Sequence, residues 1–136
     1  MKDLMAQEAL TETETVLVTD AGFAPAPVCD TLDLASDAAP EDLLGALTSN
    51  RIVRIDFPSF ADGRGFTLAR RLRQMGFTGH LRAKGHVLAD QYAMARRSGF
   101  DDVEIDRALA TRQPEDQWLD RANWRDHDHR SRLSAA

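Results

Sequence analysis

The residues best suited to chemistry lie where an apolar run gives way to glycines and a basic helix, in DFPSFADGRGFTLARRLR at residues 56–73. Asp62 and Arg64 bring opposite charges to a turn, and Gly63 and Gly65 let the backbone approach whatever the turn faces. First-turn N–H groups and the helix dipole favour an anion there. A plainer reading is a turn in which Gly63 or Gly65 takes a positive φ and Asp62 caps the helix. GRGFTL is not a dinucleotide fingerprint, because Leu68 stands where the third glycine belongs. Nor is it a P-loop, since no Gly-Lys-Ser/Thr follows.

A second cluster sits in LRAKGHVLADQ, where Arg82, Lys84, His86, Asp90 and Gln91 follow one another closely. If both stretches end neighbouring parallel strands, Lys84 and His86 meet Asp62 and Arg64 at one sheet edge, outside the strand carboxyl ends. His86 and Asp90 are then one helical turn apart, so Asp90 would orient the imidazole or raise its pKa. An arginine, a lysine, a histidine and carboxylates in one cleft bind an anion and move a proton. The predicted ligand set is Asp62, Gly63, Arg64, Gly65, Arg82, Lys84 and Gln91, with His86 and Asp90 as acid–base candidates. Gln91, on an otherwise apolar face, would bond a loop carbonyl. The plainer alternative is a solvated charge cluster capping two helices.

The elements that must position these groups follow from periodicity. TVLVTD (15–20), VCDTLDL (28–34), RIVRIDF (51–57), GHLRAKG (79–85) and DDVEI (101–105) read as strands. Gly22, Pro25 and Pro27 punctuate the stretch between the first two. SDAAPEDLLGALTSN reads as a short helix with Ser36 or Asp37 as cap and Pro40 in its first turn. Phe66, Leu68, Ala69, Leu72 and Met75 form a helical stripe that Gly76 ends, and residues 86–98 form another that Gly99 stops. The basic helices end in two Gly-Phe pairs 23 residues apart, the rhythm of consecutive βα units. Too few strands are present to close a barrel and too few repeats to make a solenoid. The expected fold is therefore α/β, a small, open, mostly parallel sheet occupying residues 15–112. Residues 1–14 are read as a flexible N-terminus and 113–136 as a helical, then polar, tail. There Trp118, Leu119 and Ala122 would pack on the domain, and Trp124 would be loosely held.

Composition bounds the function. The 136 residues suit one domain with its own core, and the net charge of −5 hides an uneven distribution. Residues 1–50 balance at −9, residues 51–100 at +7 and residues 101–136 at −3. A basic middle attracts a small or phosphorylated anion, unless the acidic ends only neutralise it. An acidic chain with 7% aromatics argues against nucleic-acid binding. No apolar run suits a membrane span and the N-terminus is unlike a secretory signal, so a cytoplasmic location is expected. Cys29, the only cysteine, excludes a self-contained thiolate cluster or redox pair and reads as a small buried hydrophobe rather than a reactive thiol. His127 and His129 alone make a poor metal site, and no metal is expected. Trp118 and Trp124 suit a docking surface, on this domain or on a partner.

The run IDFPSFADGRGFTLARRLR, with GFTGHLRAKGHVLADQ and RRSGFD, resembles a bacterial family of unknown function over about residues 50–105. Its members are often described as oxidoreductases of sulfite reduction, encoded beside assimilatory sulfite reductase. The matching residues are Asp56, Phe57, Phe60, Asp62, Gly63, Arg64, Gly65, Ala69, Arg70, Leu81, Arg82, Gly85, Val87, Leu88, Asp90, Gln91, Gly99, Phe100 and Asp101. Members often carry an acid where this chain has His86 and a cysteine where it has Ser98. The resemblance implies a role in sulfur assimilation with sulfite reductase as the partner. The chain is expected to be an accessory protein that binds an anionic or phosphorylated ligand. The alternative is a small oxidoreductase, or another enzyme, acting on a sulfur oxyanion or its nucleotide derivative. The sequence names no cofactor and leaves a homo-oligomer open.

Overall fold

The computed structural model describes residues 15–27 and 29–125. Six strands form one sheet: β1 (Thr15–Thr19), β2 (Gly22–Pro25), β3 (Thr31–Leu34), β4 (Ile52–Phe57), β5 (Leu81–Gly85) and β6 (Asp102–Asp106). Their spatial order is β2-β1-β6-β5-β4-β3, with β3 to β6 parallel and β1 antiparallel to both its neighbours. Helices α1 (Pro40–Leu47), α2 (Arg64–Gln74) and α3 (Tyr92–Ser98) connect the parallel strands. The chain then adds α4 (Arg107–Arg112) and α5 (Glu115–Leu119). This is the expected open, mostly parallel α/β sheet. No helix among the described residues is long and apolar enough to cross a membrane.

Successive parallel strands are neighbours, so right-handed crossovers place their helices on one face. Period-two alternation then sorts the side chains. Val53, Ile55 and Phe57, Leu81 and Ala83, and Val103 and Ile105 join the helices in one core. On α2, Phe66, Leu68, Ala69 and Leu72 supply the packing stripe. Met75 lies beyond the helix and is exposed, contrary to its predicted place in that stripe.

The two Gly-Phe stops are one motif used twice. Gly76 and Gly99 adopt φ of 103° and 116°, and the Phe77 and Phe100 amides bond back to Leu72 and Ala95 carbonyls. Arg73 and Arg96, each four residues before its phenylalanine, donate to the Phe77 and Phe100 carbonyls. Both phenylalanines are buried.

Several boundaries differ from expectation for local reasons. Gly22–Pro25 is a strand, and its proline is tolerated because β2 is the sheet edge. The β3 strand begins at Thr31 rather than residue 28. Ala39, not Ser36 or Asp37, caps α1, and its N–H donates to the Asp42 carboxylate. The helix expected from residue 86 starts with a 3-10 turn at Ala89–Gln91. Leu88 is extended there and its N–H donates to Gln91 Oε1, which ends the run of helical backbone.

The tail is an integral part of the described structure. Trp118 is 1% exposed, packs edge-on against Tyr92 and donates to the Gln113 carbonyl. Trp124 is held as well, against expectation. Its indole N–H donates to Asp20 at 3.2 Å, and guanidinium groups of Arg96 and Arg125 lie 4.7 and 4.8 Å from its ring. Asp20 also accepts from Tyr92 and Arg96, tying the β1–β2 turn to α3. Both tryptophans thus engage this domain. Cys29 is exposed rather than buried.

Candidate functional site

Phe57 ends β4 in the core, and the loop after it reaches α2 through Asp62 and Gly63. Gly63 has φ −90°, and Gly65 is not among the positive-φ glycines, so the expected left-handed turn is absent. Gly65 is required by contact instead: a Cβ there would lie 2.5 Å from Phe57 Cζ. Asp62 Oδ1 accepts from the Arg64 amide at 3.1 Å and from its Nε at 2.9 Å, while Oδ2 accepts from Nη2 at 2.6 Å. Hydrogen bonds from Arg64, and a further one from Ser36, pull the Asp62 carboxyl down to about 2. Asp62 therefore clamps the arginine and also accepts from the first amide of α2, although the N-cap position itself is Gly63.

The second junction meets this loop in part. Gln91 Nε2 donates to the Phe60 carbonyl at 3.1 Å, so the glutamine bonds a loop carbonyl as its position suggested. The Phe60 ring stands edge-on to the His86 ring at 5.0 Å. His86 is exposed, and its backbone N–H and Nδ1 both approach the Phe57 carbonyl, at 2.9 and 3.2 Å. A carbonyl only accepts, so Nδ1 is the donor in this contact. Asp90 does not orient this imidazole. The two residues do not share a helix face, because His86 precedes the helical backbone, and Asp90 pairs with Arg121 at 2.9 Å.

Arg82 and Lys84 are separated from the clamp by strand alternation. Both project from the sheet face opposite the helices, where Lys84 lines a cavity of about 260 Å³ with Asp33, Arg54 and Asp56. Arg82, 4% exposed, binds Asp102 at 2.8 Å. The structure thus joins Asp62, Gly63, Arg64, Gly65, Gln91 and His86 around the β4–α2 loop. It places Arg82 and Lys84 elsewhere. His127 and His129 lie outside the described residues. Ser98 is buried and donates to the Met94 carbonyl, a structural place that a cysteine would also fill.

Sequence reasoning missed the ionic ladder on the sheet face opposite the helices. Arg54 binds Asp33 at 2.8 Å and Glu104 at 3.2 Å, and Arg82 links Glu104 to Asp102, whose carboxylate also meets His80 at 2.9 Å. Burial pushes the Asp102 carboxyl up, but hydrogen bonds from His80 and Arg82 outweigh it and hold it below the usual range. The same bond raises His80. Alternate charges in RIVRIDF, LRAKG and DDVEID were the available signal, since period two places them on one face.

The family comparison bears on this arrangement. Residues 31–130, from β3 through the clamp loop to the tail, match a family described as a bacterial protein of unknown function, DUF934. The chain belongs to that family. The DUF934 match extends well past the 50–105 core expected, yet it starts after the β1–β2 hairpin. No curated protein and no solved structure matches the chain.

Proposed function

We propose that this protein is a non-catalytic accessory of assimilatory sulfite reduction that binds an anionic or phosphorylated ligand and acts through a partner, sulfite reductase. One observation carries the non-catalytic part. The side chains of the β4–α2 loop satisfy one another, Asp62 with Arg64 and Gln91 with the Phe60 carbonyl, so they brace a loop rather than converge on open space. A catalytic cleft needs such groups aimed at a substrate. The link to sulfur metabolism rests on the resemblance of the loop sequence.

The test is to mix the purified full chain with sulfite reductase. Co-elution on a sizing column, together with a changed rate of sulfite reduction, is the expected result. Absence of both would overturn the reading. A second reading has its own observation: His86 is exposed and its ring is anchored through Nδ1 on the Phe57 carbonyl, as the imidazole of a general base would be. Turnover of a sulfur oxyanion by the pure protein, abolished by His86→Gln, would establish that enzyme reading.

A further inference from the structure

The basic residues that do not take part in the clamp meet elsewhere. A groove of about 430 Å³ runs between α2, the end of α3 and the tail, lined by Arg70, Arg73, Gln74, Arg97 and Trp124 with Ser98 and Gly99. Among the described residues three arginines line it and no acidic residue does. Arg73 is neutralised by Asp101 at 3.0 Å and is otherwise bonded to carbonyls of Phe77, Gly79 and Gly99. Among the described residues Arg97 donates only to the Trp124 carbonyl, at 3.2 and 3.3 Å, and pairs with no carboxylate. Arg70 is exposed and makes no ion pair among the described residues. Among the described residues the groove therefore carries two positive charges without a paired carboxylate, one from each helix.

We infer that this groove, not the Asp62–Arg64 turn, is the anion site, and that it takes a tetrahedral oxyanion of the sulfate or phosphate class, free or as the end group of a small molecule. This rests on the reading that the protein binds an anion and assigns that binding a place. Two arguments favour it over the turn. Arg64 already has a carboxylate at 2.6 Å, which an incoming anion must displace. In the groove an anion meets planar, multi-donor guanidinium groups, with no competing acid among the described lining residues. The ligand is recognised by its oxyanion and not by an aromatic base. Arg96 and Arg125 already lie against the Trp124 ring, so a stacking base would have to compete with two guanidinium groups.

The experiment titrates the full chain with sodium sulfate, and separately with inorganic phosphate, at constant ionic strength against chloride. Binding is read by the Trp124 indole N–H resonance and by Tm. The Trp124 signal is expected to shift saturably while the Trp118 signal, buried in the core, stays put. Arg70→Gln/Arg97→Gln should weaken the apparent affinity at least tenfold with its Tm in chloride unchanged, since both side chains are exposed. Arg64→Gln should leave the affinity unchanged. Saturable binding that survives the double variant but is lost in Arg64→Gln would overturn the assignment to the groove and keep the anion-binding reading. Absence of any saturable response to either anion would overturn both.

Discussion

Gly65 shows how one residue's environment reverses a general rule. A glycine in the first turn of an exposed helix is ordinarily a weakness, and replacing it with alanine gains up to about 1 kcal/mol. Here the new methyl would meet the Phe57 ring at 2.5 to 3.0 Å, and Phe57 is itself packed against Phe66 and Phe100. Overpacking of that kind costs about 1–3 kcal/mol. The clash outweighs the propensity gain, so Gly65→Ala should be net destabilising by about 1–2 kcal/mol. A urea midpoint measured at unchanged m checks it. A gain in stability would show that the phenylalanine cluster gives way. The same contact accounts for the glycine in the loop motif without any ligand.

At the scale of elements, the strands and helices that follow one period were legible. Short apolar runs bounded by turn residues found β1, β4, β5 and β6, and the Gly-Phe stops found the ends of α2 and α3. The misreadings fall where a side chain supplies what backbone periodicity does not show. Gln91 bonding the Leu88 amide starts α3 late, and that removed the supposed His86–Asp90 pair. Edge position, invisible in sequence, let Gly22–Pro25 pair as a strand despite its glycine and proline. The repeated stop motif makes a paired prediction. Gly76→Ala and Gly99→Ala each force an alanine into left-handed backbone, at roughly 1–2 kcal/mol. At residue 76 nothing lies within 4 Å of the added Cβ, whereas at residue 99 it would lie 2.6 Å from Arg73 Cγ. Arg73 cannot step aside without loosening its bonds to the carbonyls of Phe77, Gly79 and Gly99 and to Asp101. Gly99→Ala should therefore cost at least about 1 kcal/mol more than Gly76→Ala, the net worth of one such bond. Equal urea midpoints for the two variants would refute that coupling between α2 and the α3 stop.

For the whole molecule, the sheet divides an apolar, helix-covered face from a charged one, and the second went unread because these strands were recognised by their apolar residues and not by the charges that alternate with them. Arg82, Asp102 and Glu104 are each no more than 5% exposed, so their charges are stable only together. Arg82→Met would leave two buried carboxylates with fewer cations and should destabilise the fold by about 3 kcal/mol or more at pH 7. The pH dependence separates charge from packing. In the native protein Asp102 is held below its unfolded value, so its contribution is complete above about pH 4 and is lost as pH falls through the folded pKa. His80 is raised, so its contribution is complete below about pH 6.5 and fades as pH rises through the folded value. Without Arg82, burial, the largest influence on Asp102, drives that carboxyl upward, and protonation then relieves the variant. The stability gap between wild type and Arg82→Met should therefore narrow steadily from pH 7 to pH 4 in urea titrations. A gap that stays constant over that range would mean that Arg82 holds the charged face by its bulk and not by its charge.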